Sequence, residues 1–213
     1  IATYVSAGGA LFFDHETATL SPTGQPLPQP GFGWVQIAGP LPHAARAEWF
    51  RKDPAFDASL MARFGAAIDA ALTGDFRDWH SETRAALARI LLLDQFTRNT
   101  FRDTPRAFAG DAEALATAIA VVDAGSDRAL DAFERWFLYL PFEHAENAAM
   151  QQRSLELFTP LADDSGDRTP LEWAAKHAAV VRRFGRYPHR NAILGRASTP
   201  EEIAFLQEPG SRF

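Results

Sequence analysis

The sequence predicts an all-α fold of antiparallel helical hairpins, and three observations predict it. From Trp49 onward apolar residues recur at helical spacing, helix-capping residues and glycines punctuate the pattern, and the connections between periodic stretches are short, which favours antiparallel neighbours. The chain of 213 residues is long enough for one domain with a closed core.

Residues 1–42 read as an irregular arm. They hold Gly8-Gly9, prolines at 22, 26, 28, 30, 40 and 42, and β-leaning stretches from Ala10 to Phe13 and Trp34 to Ile37. Ser21-Pro22-Thr23-Gly24 fits a type I turn, so the arm is irregular or a small β-hairpin. Residues 43–213 read as the helical domain. Asp53-Pro54 supplies an N-cap and first helical residue, Phe56, Leu60, Phe64, Ile68 and Leu72 form the apolar stripe, and Gly74 ends it. A second helix runs from about Ser81 to Phe96, with an apolar arc wide enough to make it central. Asp111 reads as the cap of a third that ends before Gly125. Ser126 or Asp127 opens a fourth, whose Trp136, Phe137 and Tyr139 are core residues and which stops near Pro141, because proline has no N–H to continue the ladder. A fifth spans about Ala145 to Phe158. Thr169-Pro170-Leu171-Glu172 and Thr199-Pro200-Glu201-Glu202 both read as capping boxes that open further helices.

Composition removes several function classes. The formal charge is -6 and the basic residues form no long block, so nucleic acid is not an expected partner. No apolar run reaches the roughly 18 residues of a membrane span. Without cysteine there are no disulfides, thiolate nucleophiles or Cys-ligated metals, and only His, Asp and Glu remain as metal ligands. Dinucleotide, P-loop, α/β-hydrolase and HExxH motifs are missing, as is the pair of Glu-x-x-His motifs that a dinuclear carboxylate centre needs. No cofactor and no metal are therefore expected. Cytoplasm is the expected compartment, since nothing reads as a leader; the oligomeric state stays open.

Chemistry concentrates in three stretches. In Leu93 to Asn99, Asp94 faces Arg98 and Gln95 faces Asn99 at i, i+4, either as pairs that finish a helix or as ligand contacts. In Leu140 to Asn147, Glu143 and Glu146 flank His144 at an expected helix start, where two carboxylates either cap the helix or raise the imidazole pKa into the physiological range. In Arg182 to Asn191, positive charge gathers, and Arg186, His189, Arg190 and Asn191 grip either an internal carboxylate or a bound anion. The other histidines, His15 and His43 in the arm, His80 before a helix and His177 mid-helix near Lys176, carry less weight, and most of them read as solvated.

Four ordered segments, Leu92 to Asn99, Thr104 to Ala109, Tyr139 to Glu146 and Phe184 to Asn191, resemble the bacterial family called domain of unknown function 924. The resemblance covers about Trp49 to Phe205. It implies a tetratricopeptide-like superhelical bundle and no established activity. It departs at residues 1–42, where the short opening helix usual in that family, with its Phe-Trp-Phe-like motif, has no counterpart.

Two functions follow as expectations. In the first, the three stretches converge on a pocket for a small anionic metabolite, with His144 and His189 as acid–base residues and Asp94, Gln95, Arg98, Asn99, Glu143, Glu146, Arg186, Arg190 and Asn191 as ligand contacts. In the second, a tetratricopeptide-like surface binds a partner peptide without catalysis. A third outcome makes the same charges a structural ion network.

Overall fold

A computed structural model describes residues 52–211, so the arm at 1–42 and the stretch through 51 lie outside the described residues. Seven helices are present among the described residues: α1 (Pro54–Thr73), α2 (Thr83–Ile90, continued by a π-helical turn Leu91–Phe96 and a last turn Thr97–Thr100), α3 (Asp111–Asp123), α4 (Ala132–His144), α5 (Ala148–Ser165), α6 (Thr169–Phe184) and α7 (Pro200–Phe205). No strand occurs among them. The fold is all-α, as expected.

Helix α1 has the predicted ends: Asp53 accepts from the Ala55 and Phe56 amides, and Gly74 adopts φ 104°. Its buried face, Leu60, Phe64 and Ile68, packs on Leu92, Leu93 and Phe96 of the π turn. The π turn is what divides the three consecutive leucines. Leu91 joins the main core with Trp136, Leu138, Phe142 and Phe158, while Leu92 and Leu93 face α1. Thr97 Oγ1 donates to the Leu93 and Asp94 carbonyls at 2.8 and 3.0 Å, which satisfies acceptors in the widened turn.

Consecutive helices pack from α2 to α6, and α4 also touches α2 and α6. Helix α4 is thus the centre of the stack. Contrary to expectation, it runs through Pro141 to His144, and α5 likewise runs through Pro160. The missing N–H costs roughly 3 kcal/mol in an exposed helix, but here Leu138 to Phe142 are all buried, and their burial, about 1.5–3 kcal/mol per large side chain, outweighs it. Trp136, Phe137 and Tyr139 are core residues, as read.

Three caps differ from the sequence reading. Gly110, not Asp111, caps α3, and Asp111 is left in its first turn with its carboxylate available. The box that opens α4 is Asp131 with Glu134, not Ser126 or Asp127, which lie in a preceding 3₁₀ turn; there Asp127 accepts from the Tyr139 hydroxyl at 2.6 Å. Thr169 is the first residue of α6 and makes no capping bond, because Arg168 occupies the cap position. The Thr199–Glu202 box is present.

Candidate functional site

Because α4 continues past Pro141, Glu143 and His144 sit at the C-terminal end of a helix rather than at the start of the next. Neighbours on a helix point about 100° apart, so the two side chains meet different partners. His144 Nδ1 lies 2.7 Å from Asp94 Oδ1 on α2, and Glu143 Oε1 lies 3.0 Å from His177 Nδ1 on α6. His177 is buried, an exception among the histidines that mostly read as solvated. It lies on the stripe Pro170, Ala174, His177, Ala178, Val181, a signal the sequence contains.

Asp94 sits in the π turn with its side chain 1% exposed. Its oxygens accept from His144 and from Gln95 Nε2 at 2.6 Å, and Arg98 Nη1 lies 2.9 Å from Oδ1 as an ion pair while donating to the Asp94 backbone carbonyl at 3.0 Å. Burial alone raises a carboxyl pKa, but Arg98, His144 and Gln95 together outweigh it and hold Asp94 far below the usual range. Arg98 also forks onto Asp111, at 2.8 and 2.9 Å. Asp111 in turn accepts from Arg190 Nη1 at 3.3 Å. The Arg190 guanidinium lies 4.5 Å over the Tyr187 ring and 4.8 Å over Phe108. Tyr187 packs 5.5 Å from the His177 ring, which is 6.2 Å from that of His144. The contacts close into a circuit: His144, Asp94, Arg98, Asp111, Arg190, Tyr187, His177 and back to His144.

The protonation of the circuit follows from its packing. Burial, then Arg98, push His144 below its ordinary 6.5, against the opposing pull of Asp94. The expectation of a raised pKa is therefore reversed, because burial and the nearby guanidinium outweigh the carboxylate. His189, against Tyr187 at 5.6 Å, is pushed down to about 3 by burial, Arg190 and His177. Both imidazoles are neutral at neutral pH. Since Asp94 is ionised, the proton on His144 is on Nδ1, and Nε2 carries the lone pair.

This has a consequence for stability. Below pH 6.5 the unfolded chain binds protons that the folded chain refuses at His189 and His144, so stability falls as pH falls, by about 1.4 kcal/mol per unit at His189 until its folded pKa of about 3 is reached, and His144 adds in the same direction. Asp94 and Glu202, whose folded pKa values are depressed, add nothing in this window; their share is lost only at more acidic pH. Urea unfolding from pH 7 to pH 5 is expected to show this decline, with a shallower slope in His189→Leu.

Not every candidate joins the circuit. Asn99 donates to Asp57 at 2.9 Å, beside Arg102, and Gln95 donates to Asp94, so the Gln95–Asn99 pairing is replaced by ties to other partners. Glu146 binds the Tyr187 amide at 2.7 Å and Arg196, pinning the segment after α6. Arg186 forks onto Glu202 at 2.7 and 2.8 Å, and Asn191 bridges Glu202 and Arg196. Arg186 holds the Glu202 carboxyl down to about 2. These residues anchor α7. Arg186→Ala leaves the Glu202 carboxylate short of its main partner, and a lower midpoint in chemical denaturation is expected, with the circuit intact.

Asp111, His177, Tyr187 and Phe108 are site residues that sequence reasoning did not assign. Gly110 is a fifth, through the backbone: a Cβ there would lie 2.2 Å from the Leu93 carbonyl oxygen. That close approach seats α3 on the π turn and brings Asp111 to Arg98. No group of three or more His, Asp or Glu among the described residues is placed to hold a metal ion, and no helix there is long and apolar enough to cross a membrane.

Fold and site together define an all-α protein with a buried, mixed-charge circuit where α2, α3, α4, α6 and the turn after α6 meet. The chain belongs to the family of bacterial proteins of unknown function called DUF924, whose model matches residues 33–210. The match thus takes in residues 33–42 of the stretch read as an arm. A solved structure of a protein of unknown function from Agrobacterium tumefaciens is similar, with 43% identity and a TM-score of 0.70 over 75% of this chain and 88% of that one. No curated protein matches.

Proposed function

We propose that the protein binds a small metabolite bearing a carboxylate or phosphate, with Arg190 as the anion receptor. The observation that carries this is the state of the Arg190 guanidinium. Arg98, Arg186 and Arg196 each fork onto a carboxylate. Arg190, with its side chain 7% exposed, makes among the described residues only the 3.3 Å bond to Asp111, and its Nε is buried without an acceptor. Burial, then Arg98, lower its pKa to about 10, so it remains a cation at neutral pH. A buried cation is normally paired, and an anionic ligand supplies the acceptors this one lacks. Phe108 and Tyr187 fix its plane, and Arg98 shares its partner Asp111.

The peptide-binding reading draws less support, because among the described residues the exposed large apolar side chains, Met61, Trp173, Leu194 and Ile203, are distributed over separate elements. Thermal melting in the presence of phosphate, sulfate and short mono- and dicarboxylates tests the proposal. A ligand at 100 times its Kd adds about 2.7 kcal/mol. A concentration-dependent rise for one anion class, weakened in Arg190→Lys, supports it; an unchanged melting temperature across the panel refutes it.

A further inference from the structure

We infer that His144 is a general base, held by Asp94 in the tautomer that leaves Nε2 unprotonated, and that it takes a proton from an O–H group beside the anion bound at Arg190. The inference rests on the anion-binding reading for its ligand and on separate geometry for its chemistry.

The geometry begins with the 2.7 Å contact between His144 Nδ1 and Asp94 Oδ1. A carboxylate accepts only, so Nδ1 is the donor and Nε2 the acceptor. Asp94 is itself fixed by Arg98 and Gln95, which makes it a rigid orienting group. The His144 side chain is 13% exposed while Asp94 is 1% exposed. With Nδ1 turned into the buried Asp94, the accessible edge of the ring is the opposite one, which carries Nε2. His177 packs edge-on against the ring and is itself fixed by the bond from its Nδ1 to the Trp173 carbonyl at 2.9 Å, so the imidazole is held from a second side.

The step balances without a further reagent. The ligand or water O–H bond breaks, an N–H bond forms at His144 Nε2, and the electron pair stays on the oxygen. Asp94 balances the resulting imidazolium. A carboxylate-oriented imidazole used this way relies on the orienting acid for its tautomer, and replacing that acid by its amide presents the wrong nitrogen. The substrate class is a hydroxy acid, a phosphate-bearing alcohol, or a hydrolysable ester of either.

Diethyl pyrocarbonate, which acylates an unprotonated imidazole nitrogen, is the probe. Peptide mapping of the full chain at neutral pH is expected to show His144 modified readily, slowed at least tenfold in Asp94→Asn, and protected by saturating phosphate or carboxylate, whichever binds. Two-bond proton–nitrogen spectra of the imidazoles of the unaltered protein read the tautomer directly and do not depend on the variant folding. An inert His144, a rate unchanged in a folded Asp94→Asn, or an Nε2-protonated tautomer overturns the base assignment even where calorimetry shows an anion bound. Calorimetric binding without protection of His144 overturns the inference and leaves the binding reading standing. Absence of any anion binding, with His144 reactive, removes the reading and the inference together.

Discussion

Gly110→Ala is expected to lower stability by about 3 kcal/mol or more, seen as an early unfolding midpoint in urea with an unchanged slope. The backbone of Gly110 is not at positive φ, so conformational freedom is not the reason. The reason is contact: an added Cβ falls 2.2 Å from the Leu93 oxygen and 2.9 Å from its carbonyl carbon, and neither is the end of a flexible side chain. Helix α3 must then lift off the π turn. Asp111 moves with it, so the Arg98–Asp111 fork loosens and the circuit opens at that point. The variant tests whether the π turn and the start of α3 form one rigid platform for the charged residues.

Asp94→Leu is the second large effect, about 3–5 kcal/mol in the same measurement. Asp94 is fully buried, its carboxylate hydrogen-bonded to His144 and Gln95 and ion-paired with Arg98. Removing it leaves His144 and Gln95 without their acceptor and leaves Arg98 paired only through Asp111. A buried pair broken on one side costs far more than the pair contributes when whole, because the remaining charge stays desolvated. In the double variant Asp94→Leu with Arg98→Met the two losses are expected to be less than additive, since both remove the same ion pair.

How much of this was legible in the sequence varies along the chain. The ends of α1 and the Thr199 box are local, with the capping residue and its partners within a few positions, and they read correctly. Pro141 did not stop α4, because a tertiary effect, the burial of Leu138 to Phe142, decided the outcome. That single misreading changed the chemistry. With a stop at Pro141, Glu143 and Glu146 are cap charges around His144; with the helix continued, Glu143 turns to α6, His144 to α2, and Glu146 to Arg196. The π turn was hidden for the same kind of reason. Leu91 to Leu93 read as one wide apolar arc, and only packing against two separate cores requires the extra residue in the turn.

The candidate site was legible as residue types and not as pairings. Asp94, Arg98, Glu143, His144, His189 and Arg190 do meet in one region, whereas Arg186 and Asn191 are drawn to Glu202, a residue that the sequence shows only as part of a capping box. Asp111 looked like a cap for the opposite reason: its position at the start of α3 is local, but its partners Arg98 and Arg190 come from elsewhere in the chain.

On the anion-binding reading Arg190 is kept for a ligand and not for the fold, which the melting of Arg190→Met, with and without the stabilising anion, puts to the test. Methionine matches the arginine stem in length and leaves Asp111 its fork with Arg98, so the ligand-free variant is predicted to melt at or above the temperature of the parent, and to show no response to the anion. An Arg190→Met protein that melts well below the parent, beside a parent that no anion stabilises, would contradict the account and make the circuit a structural ion network.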